Sequence, residues 1–419
     1  MSSTENTVVT KTNKIIKKNK KSSVKSSVKS SVKSCVKSSV KSCVKSCVKS
    51  SVKKTKTNKK QLTGMSLFSG MGGDTLGMEQ AGINVICYSE YIKQFQETHE
   101  ANFKDSVMLG KDVKSNILNI PDEEFSKYHD KIDFLFAGFP CQSFSTGGKR
   151  KINDPRNTMF REFVRAARLT NAKVIIGENV KGLVTKKTEN DELYIDVIVD
   201  EFNKLGYDVI HKVFKCHHYG IPQKRERLII LGIKRELIGT KYKLEFPTEI
   251  TPDKSQFKGL QDIIEFSMEG TMRVTDDIFD FTTIPEECIV KNMSNDEDEQ
   301  NPHPYLIMKR DIDNKSYGKK TFTSLFSFAK RDSPIHCEII DIRNPSKTII
   351  CTYEHQPRLF VPIKNKKGNF IRMLTPTELK QIQNFPKDYI VTGTTKQQII
   401  QIGNAVPPKL INLIVSHII

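Results

Sequence analysis

Asp133-Phe-Leu-Phe-Ala-Gly-Phe-Pro-Cys-Gln142 is the stretch that decides how this chain folds. Its apolar run has strand character, ends at Gly138, and delivers Pro140 and Cys141 at the carboxyl end. In open α/β sheets ligands bind outside the carboxyl ends of the strands, so a thiol at this place faces a site. Pro140 restricts the backbone just before it. Cysteine attacks as the thiolate, and an unperturbed pKa near ~8.5 leaves only a small ionised fraction at neutral pH. A lone cysteine is more often a buried structural residue than a nucleophile. The reading of Cys141 therefore depends on the sequence around it.

Outward from this segment, strand candidates recur at Met65–Phe68, Ile83–Ser89, Lys173–Gly177, Asp208–Phe214 and Arg227–Ile233, with helix-length segments between several of them. Strands alternating with helices predict a mainly parallel, doubly wound α/β sheet. Residues 234–343 break the rhythm and are polar, irregular and rich in Asp, Lys, Thr and Pro, as expected of a small inserted domain. The α/β character resumes at Leu374-Thr-Pro-Thr-Glu378, where Thr375 suits a helix cap and Pro376 the first turn. An apolar helix is expected from about Pro408.

The charge is uneven. Residues 1–60 hold 18 lysines and one acid, Glu5, whereas residues 61–419 hold 49 basic against 47 acidic side chains. From Lys21 to Lys53 the chain repeats Lys-Ser-Ser-Val, with Cys35, Cys43 and Cys47 each replacing a serine. One apolar residue in four cannot offset the ordering entropy, so a disordered tail is expected. Such a tail is suited to sequence-independent contact with nucleic acid through counterion release. The nine cysteines show no metal-ligand spacing, so no metal is expected, and the pattern suits a reducing compartment. No apolar stretch approaches the ~20 residues of a membrane span, and no export signal is visible, which points to an intracellular protein.

Three further constellations carry chemistry. Gly70, Gly72 and Gly73 follow a strand and precede a helix, where absent side chains let the backbone approach a nucleotide-like ligand. Glu90 ends the next strand, the usual place for an acid that holds ribose hydroxyls. Glu178, in Gly177-Glu-Asn-Val180, ends another strand on the same sheet edge as Cys141 and is placed to donate a proton or hydrogen bond to a ring nitrogen. Gln223-Lys-Arg-Glu-Arg227 opens a buried-looking strand, and its arginines are suited to bidentate contact with a carboxylate or phosphate. Cys216-His-His218 is unlike a metal site, and the histidines read as structural or substrate-facing.

Taken in order, Phe68-Ser-Gly-Met-Gly-Gly73, Gly138-Phe-Pro-Cys-Gln142, Glu178-Asn-Val180, Gln223-Lys-Arg-Glu-Arg227, Arg372-Met-Leu-Thr-Pro-Thr-Glu378 and Gly403-Asn-Ala-Val406 resemble the ordered motifs of the cytosine-5 DNA methyltransferases. The resemblance spans about residues 64–419, and the irregular segment sits where that family places its target-recognition domain. It implies the fold of the S-adenosylmethionine-dependent methyltransferases with a recognition domain inserted. The division expected is a tail at 1–60, a catalytic domain at 61–233, a target-recognition domain at 234–355 and a return to the catalytic domain at 356–419.

The same resemblance implies S-adenosylmethionine as methyl donor and a cytosine flipped out of double-stranded DNA, acted on by a monomeric enzyme. Cys141 would attack C6, Glu178 would serve N3, and Arg227, with Arg225 beside it, would hold the base carbonyl and Glu178. Phe68 and Tyr91 would pack on the adenine, Glu90 would bind the ribose, and Asp112 would contact the adenine amino group. Gly70, Gly72, Gly73, Pro140, Asn404 and Ala405 complete the cofactor set. Gln142, Asn179, Gln223 and Thr348 form the substrate-facing set, with Thr348-Ile349 standing where the family usually has Thr-Leu. Two alternatives remain at this point. One is the transfer-RNA branch of the family, whose late Cys-Phe-Thr signature is matched here only by Cys351-Thr-Tyr353. The other is a catalytically silent DNA-binding regulator, which would be expected to lack Cys141 or Glu178.

Overall fold

Thr63–Leu67 (β1) is a short buried strand that turns through Phe68–Gly72 into a helix, Gly73–Gln80 (α1). The alternation continues with Asn84–Ser89 (β2), Lys93–Asn102 (α2), Val107–Met108 (β3), Asp122–Ser126 (α3), Phe134–Ala137 (β4), Phe160–Thr170 (α4), Val174–Val180 (β5), Tyr194–Lys204 (α5), Tyr207–Lys215 (β6) and Glu226–Lys234 (β7). The computed structural model describes residues 61–140, 159–276, 280–302, 338–354 and 359–419, and the backbone alone of 306–309 and 325–328. The expected tail lies outside the described residues.

These seven strands form one sheet in the order β3-β2-β1-β4-β5-β7-β6. The pairings from β3 to β5 are parallel, as expected, whereas β7 runs antiparallel to both β5 and β6. Side chains alternate across a strand, and the sequence uses both faces. Leu135, Ala137, Ile175, Leu228 and Ile230 pack with Phe163, Ile198 and Phe202 of α4 and α5. Phe134, Phe136, Val174, Ile176, Ile229 and Leu231 pack with Leu410, Ile411 and Ile414 of the last helix. Burial on both faces explains why these strands read as continuous apolar runs.

Beyond β7 come Met272–Val274 (β8), Val290–Asn292 (β9), Leu306–Lys309 (β10), Leu325–Phe328 (β11), Glu338–Ile339 (β12), Leu359–Asn365 (β13) and Gly368–Met373 (β14). The β13–β14 hairpin is the centre of a second sheet, with β8 on β14 and with β9 and β12 on β13, while β10 and β11 pair separately. The boundary expected at residue 355 falls inside this sheet, because its two longest strands follow that residue.

Three helices complete the chain: Pro376–Ile382 (α6), Thr395–Asn404 (α7) and Pro408–Ile418 (α8). Thr375 caps α6 in a reciprocal box with Glu378, and Pro376 takes the first position. Glu378 also anchors this helix to the second sheet. Its two oxygens accept from Arg372 of β14 at 2.7 and 2.8 Å, with both side chains buried. No helix among the described residues is long and apolar enough to cross a membrane.

Candidate active site

Strand register assembles the site. Leu67 pairs with Ser89 and with Ala137, and Ala137 pairs with Gly177. The next residues, Phe68, Glu90, Gly138 and Glu178, therefore stand in one row along the carboxyl edge of β1, β2, β4 and β5. Because β7 is reversed, its start reaches the same edge, and Arg227 pairs opposite Val180.

The Arg227 Nε lies 2.8 Å from Glu178 Oε1, with both side chains largely buried. The other carboxylate oxygen borders Gly138: a Cβ built there would sit 3.9 Å from Glu178 Oε2 and 3.6 Å from the Phe68 carbonyl. Gly138 thus leaves the acid and the glycine-rich turn facing each other across bare backbone. Asn179 is buried and donates to the Phe139 carbonyl at 3.1 Å, which fixes the chain just before Pro140. Pro140 is half-buried at this edge. Cys141 and Gln142 lie outside the described residues.

The turn after β1 is held in an unusual backbone. Phe68 has φ 56°, Gly70 φ 57° and Gly72 φ 85°. A bulky residue in the left-handed region costs about 1–3 kcal/mol and persists only where its surroundings over-determine it. Here the Ser69 amide donates to the Ser89 carbonyl at 3.0 Å, Gly72 donates to the Ser69 carbonyl at 2.9 Å, and the Gly70 amide donates to Glu90 Oε2 at 2.8 Å. The glycines differ in purpose. A Cβ at Gly70 would meet only Phe95, at 3.9 Å, whereas one at Gly72 would strike the Phe103 ring and one at Gly73 the Val406 carbonyl. Gly70 leaves open space, while at Gly72 and Gly73 the missing side chain makes room for protein.

Glu90 is buried and held from several sides. Its Oε1 accepts from the Ile92 amide at 2.7 Å, its own amide donates to Ser115 Oγ at 3.0 Å, and its carbonyl accepts from Gln96 Nε2 at 2.5 Å. Burial pushes its pKa up, against the amide hydrogen bonds that pull it down. The amides of Gly70, Tyr91 and Ile92 point at the carboxylate, whose two oxygens keep acceptor capacity for hydroxyl groups. Tyr91, the next residue, is 63% exposed. Asp112 is exposed in a 3-10 turn between Gly110 and Lys114, both left-handed, and the same loop brings Ser115 to Glu90.

The remaining candidates form a connected layer behind this edge. Arg225 is fully buried, and its guanidinium donates to the carbonyls of Ile349, Gly403 and Ala405 at 3.0–3.3 Å. Burial, with the charge of Arg227, pulls its pKa down to about 9. Gln223 is likewise buried between the Ile349 amide and Gln383, each at 3.1 Å. Arg225 and Gln223 therefore tie the last helices to β7, a role distinct from the base contact and substrate contact expected of them. Thr348 is exposed and donates to the Lys224 carbonyl at 3.2 Å. Asn404 is exposed at the end of α7, and Ala405 is buried beside it. His217 stacks edge-on against Phe257 and His218 meets Glu249 at 2.8 Å. Among the described residues no cluster could hold a metal ion.

Sequence reasoning missed a buried polar group under the turn. Asp74, in the first turn of α1, accepts from Ser66 and, at 3.4 Å, from Ser69. The available signal was a carboxylate directly after the paired glycines.

A profile of the C-5 cytosine-specific DNA methylases matches residues 62–419. The chain belongs to that family. It is 30% identical over 356 residues to the type II methyltransferase M.FnuDI of Fusobacterium nucleatum, covering 84% of this chain and 93% of that one. The type II methyltransferase M1.HphI of Haemophilus parahaemolyticus is 28% identical, with 85% and 87% covered. Among solved structures, the Entamoeba histolytica methyltransferase EhMeth superposes with a TM-score of 0.55 at 18% identity, covering 85% of this chain and 97% of that one. A mutant of Spodoptera frugiperda DNMT2 gives 0.54 at 18%, with 84% and 97% covered. These two establish the fold. As a cytosine-5 DNA methyltransferase the chain is an enzyme, and its family implies S-adenosylmethionine as cofactor.

Proposed function

We propose that this chain transfers a methyl group from S-adenosylmethionine to C5 of a cytosine extruded from double-stranded DNA, through a covalent adduct between Cys141 and C6. The observation that carries the reading is the Glu178–Arg227 pair at 2.8 Å, bordering Gly138 three residues before Cys141. C5 of cytosine is a poor nucleophile, and attack of a thiolate at C6 pushes electron density onto it. Glu178 would hydrogen-bond or protonate N3 as that density moves, and Arg227 orients Glu178 and the base carbonyl. Once C5 carries the new methyl group, its original proton leaves to a base and the sulfur–C6 bond breaks, returning the Cys141 thiolate. A paired base is beyond reach of these groups, so extrusion costing a few kcal/mol precedes the chemistry.

The residues present fit the methyl donor. Glu90 offers a buried carboxylate with free acceptor capacity, and Gly70 faces open space. Bound there, S-adenosylmethionine supplies an electrophilic methyl group. Phe68, Tyr91 and Asp112 would meet its adenine, Glu90 its ribose, and the Asn404–Ala405 corner would close the site. Asn179 positions the segment leading to Cys141, and Arg225 and Gln223 position β7. Residues 234–355, with the β13–β14 hairpin, would read the DNA sequence. The test is methyl incorporation from labelled S-adenosylmethionine by the purified protein. Duplex DNA is the expected acceptor, Cys141→Ser abolishes transfer, and activity on transfer RNA with none on DNA overturns the reading.

A further inference from the structure

Asp74 lies at the junction of three pieces of the site. It stands in the first turn of α1, 2% exposed, beneath the glycine-rich turn. Ser66, on the last stretch of β1, donates to its Oδ2, and Ser69, within the turn, donates to its Oδ1 at 3.4 Å. The backbone amides of residues 74 and 75 also point at the carboxylate. Ser69 continues to Thr75 at 3.2 Å, and Thr75 to His99 at 3.1 Å. Phe68 therefore hangs between Ser66 and Ser69, and Gly70 and Gly72 between Ser69 and Asp74 itself, so all three left-handed residues lie between anchors that converge on one carboxylate. No cation forms an ion pair with Asp74 among the described residues.

We propose that Asp74 is a positioning residue for methyl-donor binding: by tying Ser66 and Ser69 to the start of α1, it holds Phe68 and Gly70 in the backbone that receives the donor. This rests on the reading of that turn as the donor site. All four groups aimed at Asp74 are donors, and a carboxylate is acceptor-only when ionised. An asparagine of the same shape has one acceptor oxygen and turns two N–H groups toward the remaining donors. Burial without a counter-charge raises the Asp74 pKa to about 7, so an ionised carboxylate here is held against its solvation preference by those four donors. Groups kept at such a cost are found where function needs them.

The experiment measures S-adenosylmethionine binding by calorimetry at pH 8, with steady-state methyl transfer, for the full chain and for Asp74→Asn and Ser69→Ala. We expect Asp74→Asn to weaken donor affinity about tenfold, or about 1.4 kcal/mol. Its kcat at saturating donor stays within twofold, its KM for DNA is unchanged, and its thermal midpoint is not lowered. Ser69→Ala, which only removes one donor, shifts donor affinity in the same direction by a smaller factor and decides the matter if Asp74→Asn does not fold. Unchanged donor affinity in the folded variants overturns the proposal. So does a fall in kcat with affinity intact, or an affinity loss seen only together with loss of folded protein. A wild-type chain without donor affinity overturns instead the reading of the turn as the donor site.

Discussion

Replacing Arg372 by methionine would leave the Glu378 carboxylate buried without its cation. Arg372 is 1% exposed, donates twice to Glu378 at 2.7 and 2.8 Å, and also supplies the Glu265 and Met373 carbonyls at 2.7 and 2.8 Å. Breaking a buried pair from one side costs about 3–5 kcal/mol, because the remaining charge keeps its desolvation penalty. The Thr375 amide at 2.8 Å retains part of the carboxylate's solvation, which places the expected loss near the lower end, about 3 kcal/mol. Replacing both partners, Arg372→Met with Glu378→Leu, removes both desolvation penalties and should be less destabilising than Arg372→Met alone, after allowance of about 1 kcal/mol for the lost cap. Urea unfolding at pH 7.5 of the wild type, the two single variants and the double variant gives the coupling energy. A single variant within 1 kcal/mol of wild type, or a double variant equal to the sum of the singles, would refute this account.

Arg227→Met should lower kcat/KM for DNA by about 10²–10³-fold, the usual worth of one preorganised charge-stabilising donor, with donor affinity retained; a loss under about threefold would reject its role. Acidification should expose two opposed buried groups. The Asp74 pKa is raised to about 7, so the folded state holds an extra proton and stability falls as pH rises through about 4 to 7. Burial lowers the His99 pKa to about 3, so the unfolded state holds the extra proton and stability rises with pH from about 3 to 6.5. Between pH 4 and 6.5 the slopes cancel. Tyr389 stays protonated throughout this range, whereas burial, with the charge of Asp105, raises the Glu79 pKa, so Glu79 adds a slope of the same sign as that of Asp74. In Asp74→Asn the His99 slope should emerge at up to about 1.4 kcal/mol per pH unit, and an unchanged profile in urea unfolding between pH 4.5 and 6.5 would contradict the assignment. Deleting residues 1–60 should weaken non-specific duplex affinity and flatten its salt slope by about 0.9 for each lysine that had neutralised a phosphate, leaving kcat intact.

The centre of the first sheet was legible because β1, β4, β5 and β7 are largely buried and so appear as apolar runs of strand length, with Phe68 and Gly138 just past β1 and β4 and Glu178 near the end of β5. The capped start of α6 was legible for a similar local reason, since Thr375, Pro376 and Glu378 act on neighbours in sequence. Strand direction was not. Nothing within Glu226–Lys234 marks it as reversed, yet that reversal brings Arg227 to Glu178. The bonds of Arg225 to the carbonyls of residues 349, 403 and 405 were not legible, because a backbone acceptor leaves no trace in side-chain identity. The second sheet was hidden because β8, β9 and β12 are only two or three residues long and are stabilised by the later hairpin.

The contact between Gly73 and Val406 sets the order in which an enzyme becomes active during its synthesis. The glycine-rich turn leaves the ribosome long before its support does: α1 is seated against a carbonyl 333 residues later, and Tyr389 donates to the Met71 carbonyl in the same layer. At about 5–20 residues per second, some tens of seconds separate the two. A nascent or truncated chain that ends before residue 406 carries the strands and their acids but lacks the surface that closes around them. A chain cut before Val406 should therefore not modify DNA, even with every strand-end acid in place.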